Sequence, residues 1–105
     1  MAATTVTVSN TSPQRIIDLI RAVSGYANTK VICAILTVRA DDGNAANALY
    51  LGDSNVSSTN YGIKLLAGDS RTYPSAGQGN TVDLSNKYLL ASAVSTKADL
   101  NWEIF

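Results

Sequence analysis

Lys30-Val31-Ile32-Cys33-Ala34-Ile35-Leu36-Thr37-Val38-Arg39-Ala40-Asp41-Asp42-Gly43-Asn44-Ala45-Ala46-Asn47-Ala48-Leu49-Tyr50-Leu51 reads as strand, turn and strand. From Lys30 to Arg39 both alternating faces are apolar as far as Leu36, so the spacing predicts a strand covered on both sides. Ala40-Asp41-Asp42-Gly43-Asn44 is turn chemistry, because short polar side chains hydrogen-bond their own backbone there. Ala48 to Leu51 resumes an apolar run with a ring in it, which fits a pleated surface.

The same grammar continues in both directions. Downstream, Tyr61 to Leu65, Ser70 to Tyr73, Thr81 to Leu84, Lys87 to Ala91 and Leu100 to Ile104 are short strand candidates separated by Gly, Asn and Asp. In the last of these Leu100, Trp102 and Ile104 fall on one face, expected to point at the core. A loop rich in Pro, Gly and Ser runs from Pro74 to Asn80. Upstream, Thr4-Thr5-Val6-Thr7-Val8 alternates and places Val6 and Val8 on one face. Between these lies the one helical pattern. Ser12 and Pro13 suit a helix start, Ile16, Ile17, Leu19, Ile20 and Val23 recur at helical spacing, and Gly25 suits the stop. Residues 13–24 are therefore expected to form a helix of about three turns. The expected fold is mainly β: a single antiparallel β-sandwich, jelly-roll-like, of about eight short strands with one short amphipathic helix near the N-terminus. Residues 1–105 form one domain in this reading, long enough to bury a core without metal or disulfide staples.

Composition agrees with β structure and excludes several functions. Eleven serines, ten threonines and nine asparagines favour turns and the wet faces of strands over helix. Eight basic and eight acidic residues cancel, and the only run of like charge is Asp41-Asp42. With no basic stripe there is nothing to displace counterions from phosphate, so neither nucleic acid nor an anionic membrane surface is expected as a partner. The longest apolar run, Val31 to Leu36, is too short to span a bilayer, and no signal peptide is visible. Histidine is absent, which removes the usual general base and the commonest metal ligand. Cys33, the single cysteine, sits in an apolar strand and reads as a small buried hydrophobe. Asp41, Asp42 and Asn44 could offer oxygens to calcium, but they lack the spacing of a calcium loop and read first as turn formers. Gly77-Gln78-Gly79 does not lie between a strand and a helix, so it is no phosphate cradle. No catalytic residue, metal ligand, cofactor or small-molecule substrate is expected.

The stretch from Ala48 to Pro74 resembles small β-sandwich virion proteins of tailed bacteriophages. Their pattern is a strand ending in Tyr-x-Gly, a Ser/Thr/Asn-rich turn with a central Val, a Gly before a short apolar piece, and then Ala-Gly-Asp/Glu-Ser. Tyr50, Gly52, Val56, Gly62, Ala67, Gly68, Asp69 and Ser70 hold those places here. The ending is similar too, with Asn86 to Ala93 followed by a last strand carrying Trp102-Glu103. The resemblance covers about the C-terminal half; the helix near the N-terminus departs from it. It implies a non-catalytic structural protein of the virion. The leading expectation is a capsid decoration or cement protein that stabilises the head by packing on or between major capsid subunits. That protein would be made in the bacterial cytoplasm and carried on the head surface. A tail, baseplate or head-fibre module is the alternative, and a carbohydrate-binding host-attachment module a third. Shell symmetry favours a homotrimer. Its expected contacts are Val31, Cys33 and Ile35, the strand face a two-layer sandwich cannot cover alone, and Phe105, which points away from Trp102 in a regular last strand.

Overall fold

Alternation along the first and last strands builds the first sheet. The computed structural model describes residues 2–74 and 81–103. β1 (Ala2–Thr7) pairs antiparallel with β10 (Lys97–Glu103), Thr4 opposite Leu100 and Val6 opposite Ala98. β10 pairs on its other side with β4 (Ile35–Ala40), and β4 with β7 (Ser70–Tyr73), giving the order β1-β10-β4-β7. Its inward positions, among them Val6, Leu36, Val38, Leu100 and Trp102, are buried, as a period-two pattern requires.

The second sheet has the order β2-β9-β5-β6, from β2 (Gln14–Arg15), β5 (Leu49–Gly52), β6 (Ile63–Leu65) and β9 (Tyr88–Ala91). β3 (Ile32–Cys33) and β8 (Val82–Asp83) form a small third sheet. All pairings are antiparallel. Five of them are nested about the β5–β6 connection: β5 with β6, β4 with β7, β3 with β8, β2 with β9 and β1 with β10. The further pairings β10–β4 and β9–β5 join these nested pairs into the two four-stranded sheets. The two four-stranded sheets share one core: Leu49, Leu51, Leu65 and Leu89 of the second belong to the same buried cluster as Leu36, Leu100 and Trp102 of the first. The fold is mainly β, with ten strands and one α-helix among the described residues.

Two local expectations need correction. The helix α1 spans only Ile16–Arg21 and does not begin at Pro13. Gln14 and Arg15 are extended and pair with Leu89 and Tyr88 instead. The Ser12 N–H is taken by the Ser9 hydroxyl, which closes a tight turn before Pro13, and Arg15 at the helix start provides no side-chain cap. Sheet pairing outcompetes an N-cap signal here, since a ladder satisfies backbone groups that a cap would leave to water. The apolar face nonetheless docks as the spacing predicts: Ile16, Ile17, Leu19 and Ile20 are buried and Val23 packs against the core. Gly25 adopts φ +92° three residues beyond the first non-helical residue.

The second correction concerns residues 30–39, which are not one strand. Cys33 pairs with Val82, while from Ile35 onward the chain pairs with β10 and β7. At the junction the Ala34 N–H donates to the Glu103 carbonyl at 2.8 Å. The break shifts the alternation by one residue, so Cys33 and Leu36 are both fully buried while Ile32 is exposed. This break and the two-residue β2 account for ten strands where about eight were expected.

Candidate interaction surface

The outward faces of the two larger sheets differ in chemistry. On the first, β10 offers Asp99 and β4 offers Thr37 and Arg39. The Thr5 hydroxyl donates to Asp99 at 2.8 Å, Arg39 Nη1 donates to Asp99 at 2.9 Å, and Arg39 Nη2 donates to Asp42 at 2.7 Å. Thr37 and Thr72 share a hydroxyl bond at 3.0 Å across the β4–β7 pair. Polar side chains here bond one another laterally, which suits a face held against water.

The second sheet carries apolar side chains on both faces, with exposed Lys64 opposite Tyr50 and Arg15 opposite Tyr88 as the charges on its outer one. Leu49 and Leu51 enter the common core, and Tyr50 between them points the other way, where it meets Leu90 across the β5–β9 pair. Ala48, Tyr50 and Val56 form a separate buried cluster, against which Tyr88 and Leu90 pack half-buried. The Tyr61 ring lies 5.2 Å from that of Tyr50, tilted by 35°, and is itself 43% exposed. The connection from Gly52 to Gly62 positions both Val56 and Tyr61. The Asp53 carboxylate accepts from the Asn55 N–H, the Ser57 hydroxyl accepts from the N–H groups of Thr59 and Asn60, and Gly62 N–H closes onto the Leu51 carbonyl. Val56 sits directly on the Gly52 backbone, where a Cβ would lie 3.1 Å from its Cγ2. A side chain at position 52 would therefore crowd Val56, which would have to give way by a few tenths of an ångström.

Two clefts flank this face. One, of about 350 Å³, runs between α1 and Tyr88 and is lined also by Pro13, Leu19 and Ala22, with the Arg15–Asp18 ion pair at its rim. The other, of about 330 Å³, lies between Gly52, Asp53, Tyr73, Asn86 and Lys87. There Lys87 Nζ stands 4.6 Å and Arg71 Cζ 5.2 Å from the centre of the Tyr73 ring. Burial holds the Tyr73 phenol above its ordinary pKa, against the opposing pull of Arg71.

The residues singled out in the sequence are not brought together. Cys33 is fully buried in the chain's own core, so it has no surface to lend to a partner. Its thiol donates to the Ile35 carbonyl at 3.4 Å, and burial raises its pKa above the ordinary thiol range. That is the environment of an inert thiol. Val31 and Ile35 are half-buried, and the shift at Ala34 keeps them from forming one continuous face with Cys33. Phe105 lies outside the described residues, as do Ile104 and residues 75–80. The oxygens considered for calcium are engaged within the chain, Asp41 in the turn itself and the other two with neighbouring strands. Asp41 Oδ1 accepts the Gly43 N–H, which lowers the Asp41 pKa, Asp42 is paired with Arg39, and buried Asn44 bonds the Lys97 N–H and carbonyl at 2.8 Å each. Among the described residues no group of three or more His, Cys, Asp or Glu side chains is placed to hold a metal ion.

Tyr50, Tyr61 and Tyr88 are dispersed over strands and turns in the sequence, where such rings suit a core or a subunit contact, and only the fold gathers them with Leu90 on one face. Its signal was present: Leu49-Tyr50-Leu51 is apolar at three consecutive positions, the same mark of two-sided burial that drew attention to Val31–Leu36. The chain matches no protein-family model, no curated protein and no solved structure.

Proposed function

We propose that this chain is a non-catalytic structural component of a tailed-phage particle. In this reading it is a decoration or cement protein that packs on or between major capsid subunits at the head surface. The observation that carries the reading is the pair of unlike outer faces. One is a polar ladder fit for solvent, and the other is an aromatic-apolar surface fit for burial against protein, where rings supply contact area at low entropic cost. The nested pairing supports it as well. We read the orders β1-β10-β4-β7 and β2-β9-β5-β6 as a hairpin rolled into a jelly-roll sandwich, an architecture used in viral capsid and lectin domains. The three-fold positions of a shell would gather the copies into a homotrimer.

Quantitative mass spectrometry of purified particles tests the proposal. Hundreds of copies per particle, retained on DNA-filled heads without tails, are expected for decoration. A few to tens of copies, lost with the tail, would move the protein to the tail or baseplate. The cleft of Tyr73, Asp53, Asn86 and Lys87 favours one second reading, a carbohydrate-binding attachment module, because a ring beside carboxylate and amide groups suits a sugar. Binding on a glycan array that is lost in Tyr73→Ala would select it.

A further inference from the structure

Among the described residues each of the two larger sheets ends in edge strands, and the four edges are not alike. β7 carries Arg71 and is followed by Pro74, β6 has three residues with Lys64 in the middle, and β2 has two residues and runs straight into α1. Charge, proline and shortness are the means by which proteins keep sheet edges from pairing. β1 has none of them. It is six residues long, Ala2-Ala3-Thr4-Thr5-Val6-Thr7, without charge, proline or glycine. Among the described residues it has a strand on its β10 side only.

We propose that β1 pairs antiparallel with β1 of a second copy, about a two-fold axis normal to the sheet. Such an axis keeps each face on its own side, so only residues of equal parity can stand opposite one another. With Thr5 opposite its own copy, Ala3 meets Thr7 and Thr4 meets Val6. Every opposed pair is then neutral and small, and Thr opposite Thr is a favourable cross-strand pair. Thr5 already extends the polar outer ladder through Asp99, so the outer faces of the two copies continue into one another. On the inner side Val6 is buried and Thr4 half-buried, which extends the core across the axis. The chain carries no net charge, so two copies do not repel. An isologous contact of this kind closes on itself as a dimer with one continuous eight-stranded sheet, β7-β4-β10-β1-β1-β10-β4-β7. The inference rests on the strand edge alone and is independent of any role in a phage shell, where three-fold clustering would use other surfaces of the chain.

Light scattering on the isolated protein, from tens to hundreds of micromolar, should show the mass rising from one copy to two. Thr5→Lys places two ammonium groups opposite each other and should raise the dimerisation midpoint about tenfold or more. Its melting temperature when dilute should match wild type, because a lysine there still reaches Asp99. Thr5→Cys should form a disulfide-linked dimer on mild oxidation, since Cys33 is buried and the new thiols face each other at cross-strand distance. Thr72→Cys, on the β7 edge, should not. A wild type that stays monomeric throughout overturns the proposal. So does a dimer or trimer insensitive to Thr5→Lys, or cross-linking of Thr72→Cys as readily as of Thr5→Cys. If Thr5→Lys fails to fold, the wild-type mass and the two cysteine variants still decide.

Discussion

The two four-stranded sheets lie on one common core, yet the outer face of one is held by hydrogen bonds between neighbours and that of the other by packed rings. On the first, Arg39 bridges Asp99 and Asp42 while Thr37 bonds Thr72; the contacts with Asp42 and Thr72 are open to water and that with Asp99 is partly covered. On the second, Tyr50 is nearly buried although it points away from the common core, because the connection from Gly52 to Gly62 folds Val56 and Tyr61 over it. Two-sided burial of a strand therefore does not require another protein. A loop of small polar residues can supply most of the cover, leaving an aromatic rim for a partner.

Substitutions that place one charge on each face should separate them most. Tyr50→Lys removes a packed ring and strands an ammonium among Ala48, Val56 and Leu90, at a cost of about 3 kcal/mol. Thr72→Lys, on the polar face, should stay within about 0.5 kcal/mol of wild type. Urea denaturation of both variants measures the gap, and equal costs would mean that the second cluster adds no stability. Tyr61→Ala comes next. Losing the ring contact with Tyr50 should cost about 1 kcal/mol, and if this face meets the shell, binding to undecorated heads should fall much further than stability does.

Acid sharpens the contrast in another way, because the aromatic face has no carboxylate in its cluster. Asp83 is held below the ordinary carboxylate pKa by the Ser85 hydroxyl and N–H, and Asp41 by the Gly43 N–H. A depressed pKa adds stability that is complete above the unfolded value, near 3.9 for aspartate, and is lost as pH falls through the lower folded value. Melting curves of wild type should therefore fall most steeply below that range, and the Asp83→Asn and Asp41→Asn variants should flatten the decline. The smallest effect is expected from Arg39→Gln. A surface ion pair contributes little, so the variant should melt slightly lower at low ionic strength and approach wild type at high salt.

Much of the local structure was legible in the chain itself. Thr-Val alternation marked β1, Ser70 to Tyr73 formed a strand at its expected bounds, and the Leu100/Trp102 stripe went to the core. Legibility failed where two local signals competed with a distant one. Ser12 and Pro13 announce a helix, but Gln14 and Arg15 find ladder partners on β9, more than seventy residues away. Val31 to Leu36 looks like one strand, but the Glu103 carbonyl captures the Ala34 N–H and breaks it. No window along the chain contains either competitor.

The sequence by itself determined the β class, the turn at Asp41–Asn44, the burial of Cys33 and the absence of histidine chemistry. These depend on residue type and on spacing of a few positions, which set backbone preference and local hydrogen bonding. Only the tertiary structure decided the nested pairing of ten strands, which strands became edges and which outward face turned aromatic. Pairing joins segments up to about a hundred residues apart. Its register follows from which apolar sets can share one core, a property of the whole chain rather than of any segment.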